Sequence, residues 1–413
     1  MSQSPRDALI AMHAAAIAAV EGRAAVRQAL LTDPLPEGPW HLVAVGKAAM
    51  AMAHGAVDVL GDAIKAARVI TRVGYADASL AERIPVDILT APHPVPDARS
   101  LAAGEALVRF FDEADEQARF LVLISGGSSS LVERLAGEAD ADALSRLNES
   151  LLAGGLDITQ MNRIRKSVST IKGGRLANWL RGRTAEVLLI SDVPGDDPAV
   201  IGSGLLAGDA DPLTKAEAAA VLPAGLLPAD PPPRPDDRRL ASVKSRIVAS
   251  NAIARAAAAQ AARKRGYRVD CRDQFLDGEA APLGAELAEA VLGADPGVTI
   301  WGGEPTVTLP AEPGRGGRMQ ALALAAAQRL AASDALLLAA GTDGADGPGE
   351  DAGAVVDGGT IARGTGKGLD ARECLQAADA GRFLAASGDL IQTGATGTNV
   401  MDLVIGFTPS ARD

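Results

Sequence analysis

Leu121-Val-Leu-Ile-Ser-Gly-Gly-Ser-Ser-Ser130 is the stretch that decides how this chain folds. The unbroken apolar run over residues 121–124 predicts a strand buried on both faces and ending at Ser125. Gly126 and Gly127 let the backbone turn sharply and come close to a ligand, and Ser128, Ser129 and Ser130 open the following helix. The composition is that of an anion cradle. A plain turn followed by a helix cap has the same composition, so the neighbouring segments must decide between the two.

Those segments repeat the pattern. Short apolar runs at residues 42–45, 67–71, 86–90, 120–124, 187–191, 298–301 and 335–340 alternate with Ala-rich helical stretches. This alternation predicts an α/β fold with a mostly parallel sheet covered by helices on both faces. The runs empty into Gly-Lys, Ser-Gly-Gly, Ser-Asp and Gly-Gly-Glu, so polar chemistry collects at strand carboxyl ends, where open α/β sheets bind ligands. Between residues 222 and 239 six prolines crowd together with Asp and Arg, which excludes helix interiors and central strands. It reads as an interdomain linker or a long surface excursion, and a linker there would place a cleft between two domains.

With 413 residues, of which 47% are hydrophobic, the chain is long enough for two or three domains with a large core. A net charge of −12 argues against a nucleic-acid partner, so any phosphate must be held locally. Cys271 and Cys374 have neither metal-site nor disulfide spacing, which suggests a reducing, cytoplasmic setting. Residues 8–20 read as an amphipathic helix rather than a signal peptide, and no apolar run reaches the 18 residues needed to span a membrane.

Lys47 follows a strand and Gly46 at the start of a helix, where its charge opposes the helix dipole unless it serves an anion. Asp192 stands just past another strand, in a position suited to Mg²⁺, which takes one or two carboxylates plus substrate phosphates. Asp196 and Asp197 behind it are also ordinary turn residues. The segment from Met161 to Arg175 gathers five cations and predicts Arg165, Ser169 and Lys172 on one helical face, with the Gly173-Gly174 break favouring an anion-facing role. Later loops, Gly302-Gly-Glu304, Gly316-Gly-Arg318, Gly341-Thr-Asp343-Gly344 and Thr396-Gly-Thr-Asn399, mix glycine with polar groups in the same way. No G-x-G-x-x-G opens a βαβ unit, which weakens a dinucleotide reading, and the four histidines form no metal pattern. His93, framed by prolines, reads as a structural loop residue before it reads as a base.

These ordered motifs resemble the class II glycerate kinases, the glycerate 2-kinases, whose members often carry the name hydroxypyruvate reductase. The resemblance covers nearly the whole chain. It implies a larger Rossmann-like three-layer α/β/α domain at 1–240 and a smaller C-terminal α/β domain at 241–413, with the active site in the cleft between them. It also implies transfer of a phosphoryl group from ATP, with Mg²⁺, to the 2-hydroxyl of D-glycerate or a related hydroxy acid. Lys47 and Arg318 would be the functional cations and Asp192 a third catalytic group. Nucleotide phosphates would lie against Ser125, Gly126, Gly127, Ser128, Ser129, Lys172 and Gly173, with the metal at Asp192 and Asp343. A homodimer is left open, as are two other functions, an NAD(P)H-dependent hydroxypyruvate reductase and a non-catalytic sugar-acid or nucleotide sensor. Departures from the family pattern cluster at Met319, Ala321 and Met401, where amides or other polar groups are usual, and at Ser167 and Leu205. Met319 and Met401 are therefore expected beside the substrate.

Overall fold

The structure is a computed structural model and describes residues 4–153 and 158–410. It divides into two compact units, one of residues 22–248 and one assembled from residues 1–21 and 249–413. The expected division at residue 240 thus misses two things. The helix Pro5–Val20 belongs with the C-terminal unit, and the chain changes unit eight residues later than the proline-rich stretch suggests. Residues 222–239 are not the link between units. They form an excursion tied down on the first unit by Ala229 N–H to Ser167 O (2.7 Å) and Asp209 N–H to Pro233 O (2.9 Å), with Pro232 and Pro233 buried.

The unit 22–248 is built on strands β1 (Trp40–Val45), β2 (Ile64–Arg72), β3 (Val86–Ala91), β4 (Phe120–Ile124), β5 (Ala185–Ile190) and β6 (Val243–Ala249), in the order β3-β2-β1-β4-β5-β6. Strands β1 to β5 are parallel throughout. Every residue of β4 and β5 is buried, as their lack of alternation requires. Phe111, from the helix Ala98–Glu113, packs on Phe120 of β4 with ring centroids 4.7 Å apart and anchors one face of the sheet. This strand order reverses direction between β1 and β4. At such a switch point the connections that follow the two adjacent strands run to opposite faces of the sheet and leave a crevice above the strand ends.

The second unit departs from expectation. Its strands β7 (Val269–Leu276), β8 (Gly297–Gly303), β9 (Leu336–Gly341), β10 (Gly353–Asp357), β11 (Leu390–Ile391) and β12 (Asp402–Thr408) form a mixed sheet, β11-β10-β9-β12-β8-β7. Only β7 and β8 pair in parallel; the other neighbours are antiparallel. Parallel pairing needs a crossover of a dozen or more residues, usually a helix, and residues 342–352 between β9 and β10 contain none. Strand β12 returns from the end of the chain to sit between β8 and β9, where buried Asn251 fixes its start by donating to Val400 O (3.0 Å) and Asp402 O (2.9 Å). No single helix among the described residues is long and apolar enough to cross a membrane.

Helices Ala280–Leu292 and Arg318–Leu330 cover the mixed sheet and meet where Gly284 lies against the Leu322 carbonyl, so closely that a Cβ there would overlap the oxygen. Gly284→Ala is therefore expected to lower the unfolding free energy by about 1–3 kcal/mol. Gly293→Ala, at the exposed end of the same helix with nothing nearer than 3.4 Å, should change it by no more than about 0.5 kcal/mol. Chemical denaturation of both variants checks the contrast.

Candidate active site

The loops leaving β1 and β4 are pinned to each other. Lys47 N–H donates to Gly126 O (2.9 Å), and Ala48 N–H donates to the buried Ser125 hydroxyl (3.0 Å). Gly46, at φ +132°, has Ser125 where a side chain would stand, and Gly126 has the Asp192 carboxylate there. At Gly127, φ +83°, a Cβ would lie 3.0 Å from the His93 ring and 3.1 Å from Lys47 Cγ. Lys47, His93 and Asp192 thus surround one Gly-Gly turn at the switch point, although they come from three different strand ends.

The electrostatics of this corner favour an anion. Lys47 is half-buried and makes no ion pair among the described residues. Burial, with Lys47 and Arg72 as neighbours, pushes the His93 imidazole down to about 4, so it is neutral at physiological pH. Arg72 carries no motif of its own in the sequence, and only its place after Thr71 at the end of β2 marks it; His93, which reads there as a structural loop residue, stands beside the Gly127 turn.

The hydroxyls expected to face a phosphate are mostly spoken for. Ser125 accepts from Ala48, Ser129 pairs with Ser203 at 2.7 Å, and Ser130 donates to Pro94 O. Ser128 Oγ is buried without a hydrogen-bond partner and lies against Gly202. The helix expected to carry Lys172 stops at Val168, because the Ser169 hydroxyl accepts the N–H groups of Ile171 and Lys172 and turns the chain. Lys172 is not a free cation. Its ammonium, 3% exposed, is bound to Glu133 Oε2 at 2.5 Å and to Ser129 O at 2.8 Å. Gly173, next to it, donates its N–H to Ser203 O. Lys172 and Gly173 therefore support the Ser129 loop from behind.

In the other unit, Arg318 opens the helix Arg318–Leu330 and is held by Asp402 (2.6 Å) and Glu304 (3.2 Å). Burial pushes the Asp402 carboxyl up to about 7, against the pull of Arg318. Asp346 is also buried and pushed up to about 6, while it accepts the Met319 and Gln320 N–H groups (3.0 and 2.7 Å) and caps the helix from outside. Asp343 is half-buried and accepts from Ala345 N–H; its Oδ1 and that of Asp402 flank Gly341, each 3.4 Å from a Cβ placed there. Among the described residues no group of three His, Cys, Asp or Glu could hold an ion by itself. A cation at Asp192 or Asp343 would thus lean on substrate phosphate oxygens, which is the usual habit of Mg²⁺.

The methionines do not stand where the sequence placed them. Met319 is fully buried in the helix-sheet core with Leu322 and Ala323, and Ala321 is buried in the same cluster. Met401 is 3% exposed in a left-handed turn, φ +67°, whose carbonyl accepts from the Thr342 hydroxyl and N–H. They pack behind the loops instead of facing a ligand.

Comparison with known proteins fits this arrangement. Residues 8–233 match the domain of unknown function DUF4147, and residues 297–402 match the MOFRL family. A glycerate 2-kinase of Pyrococcus horikoshii is 33% identical over 91% of this chain and 89% of its own length. A protein of Agrobacterium vitis that bears the name hydroxypyruvate reductase is 36% identical over 97% of this chain and 94% of its own. The crystal structure of a Thermotoga maritima glycerate kinase superimposes with a TM-score of 0.88 at 33% identity, covering 98% of this chain and 99% of that one. The chain belongs to the class II glycerate kinase family.

Proposed function

We propose that the protein is a cytoplasmic D-glycerate 2-kinase that uses ATP and Mg²⁺. The observation that carries this reading is the unpaired Lys47 ammonium at the Gly126-Gly127 turn, with Asp192 on its other side, in a chain whose relatives include named glycerate 2-kinases. A cation and one carboxylate beside close-approaching backbone fit the phosphates of a nucleotide and a metal shared with them. Magnesium would supply charge neutralisation at the phosphates, and Asp192 would be the carboxylate of this unit that helps to hold it.

In the reaction the substrate's 2-hydroxyl oxygen bonds to the γ-phosphorus as the bond to the bridging oxygen of ADP breaks, and the hydroxyl proton is released to solvent. Such transfers depend on positioning and charge stabilisation more than on covalent help from the protein. Lys47 offsets charge on the transferred group, and Arg318, fixed by Asp402 and Glu304, supplies the second cation. Neutral His93 can offer a hydrogen bond but adds no charge, and its low proton affinity makes it a poor base. The NAD(P)H-dependent reductase reading lacks a dinucleotide fingerprint. ATP consumption that requires both Mg²⁺ and D-glycerate is the test. NADH oxidation with hydroxypyruvate, and no ADP from any hydroxy acid, would overturn the proposal.

Lys47→Met should lower kcat by roughly two to three orders of magnitude. Its melting temperature should stay at the wild-type value, because among the described residues Lys47 forms no ion pair that the substitution would break. Arg318→Met should lower kcat similarly but also destabilise the protein, since it leaves buried Asp402 without its partner.

The raised Asp402 carboxyl makes a further prediction about pH. A carboxyl that holds its proton more tightly when folded contributes stability that is full below about pH 4 and lost as pH rises through about 7. Buried His13 and half-buried His93, both pushed down to about 4, act in the opposite sense below about pH 6.5. Comparing Asp402→Asn with the wild type isolates the carboxyl. Between pH 5 and 8 the variant's melting temperature should rise relative to the wild type's; a constant difference would show that Asp402 is ionised throughout.

A further inference from the structure

Behind the Gly126-Gly127 turn, within the unit 22–248, lies a cavity of about 60 Å³ lined by Ser129, Glu133, Leu147, Asn148, Arg165 and Lys172 among others. We infer that this cavity seats the carboxylate of the acceptor acid and that Arg165 is its anchor. The inference rests on the kinase reading above and names the group that selects its substrate.

Charge is the first argument. Glu133 and Lys172 neutralise each other at 2.5 Å, both 3% exposed. Arg165 has no carboxylate within ion-pair distance among the described residues; its one hydrogen bond sends Nε–H to Asn148 Oδ1 at 3.2 Å. Asn148 is fixed in turn by donating to Leu144 O (3.1 Å), so the guanidinium is oriented by an amide and its terminal N–H groups remain available. The cavity thus carries one uncompensated positive charge. Burial disfavours the charged form of Arg165, and Glu133, already bonded to Lys172, offsets this only through space, so the cation gains when an external carboxylate forms a forked pair with it.

Size and place are the second argument. A cavity of that volume has room for a few water-sized groups, enough for a carboxylate and far less than a nucleotide fills. A triphosphate also brings several negative charges against a single positive one. Leu144 and Leu147 form an apolar wall that excludes water from the ion pair. Pro94 and Ser130 line the same cavity, and their chain neighbourhood includes His93 and Gly127 of the Lys47 corner. The seat and the phosphoryl-transfer corner therefore share one loop.

Arg165→Met and Arg165→Lys in the full chain test the assignment, with steady-state constants for D-glycerate, ATP and glycerol, which lacks the carboxylate. The Met variant should raise KM for D-glycerate by roughly 30-fold or more, keep KM for ATP within about twofold, and lower the preference for glycerate over glycerol by at least about tenfold. The Lys variant should recover part of this, as a point charge does in place of a fork. An unchanged KM for glycerate, or a raised KM for ATP in its place, would overturn the assignment. Calorimetric titration with D-glycerate alone separates this inference from the kinase reading. Binding that is lost in Arg165→Met upholds the seat even without turnover, whereas equal binding by both proteins removes it.

Discussion

The backbone contact between the ends of β1 and β4 is the constraint on which the first unit depends. Lys47 N–H reaches Gly126 O, and the Ser125 hydroxyl takes the Ala48 N–H, because neither Gly46 nor Gly126 has a side chain to hold the strands' exits apart. Any β-carbon at Gly46 would overlap Ser125, and one at Gly126 would displace Asp192. The same absence of bulk that lets the loops lock together brings a lysine, an imidazole and a carboxylate around one turn. Packing and chemistry are here a single requirement on two glycines.

The second unit solves its problem with buried charge. Arg318 sits between Asp402 and Glu304, and Asp346 caps the helix that Arg318 begins. A bidentate pair of this kind fixes the guanidinium plane at the cost of desolvating a carboxylate, which is why burial raises Asp402. Asp402 is also the first residue of β12, a strand held in place by Asn251. The orientation of Arg318 is thereby tied to the insertion of the last strand into the sheet.

The first sheet was legible because its code is local. Runs such as residues 120–124 are apolar at every position and empty into Ser-Gly-Gly, and all seven runs read from the sequence fall on observed strands, although β6, with Lys244, Ser245 and Arg246, was missed. Missed strands lacked that code. Strand β7 alternates polar residues on an exposed edge, β10 and β11 are short, and β12 pairs with partners about 60 and 100 residues away, which no local pattern encodes. At the site, Lys47 and Asp192 were readable from their places at strand ends. Glu133, Arg72 and Asn148 were not, since their meaning comes from neighbours brought in by the fold. The methionines misled because a position in a loop motif does not say which way a side chain points.

The ownership of the first helix has a consequence for synthesis. Pro5–Val20 is synthesised long before its partners, since its Arg6 bonds to Val355 O and Asp389, which are made more than 340 residues later. The unit 22–248 is complete in sequence long before those partners exist, so it can fold as a domain inserted within an unfinished one. Until strand β12 emerges, the helix carries an apolar face of Leu9, Met12, Ala16 and Val20 that has no sheet to cover. A nascent chain of this architecture therefore keeps that apolar face uncovered until its last strand is made.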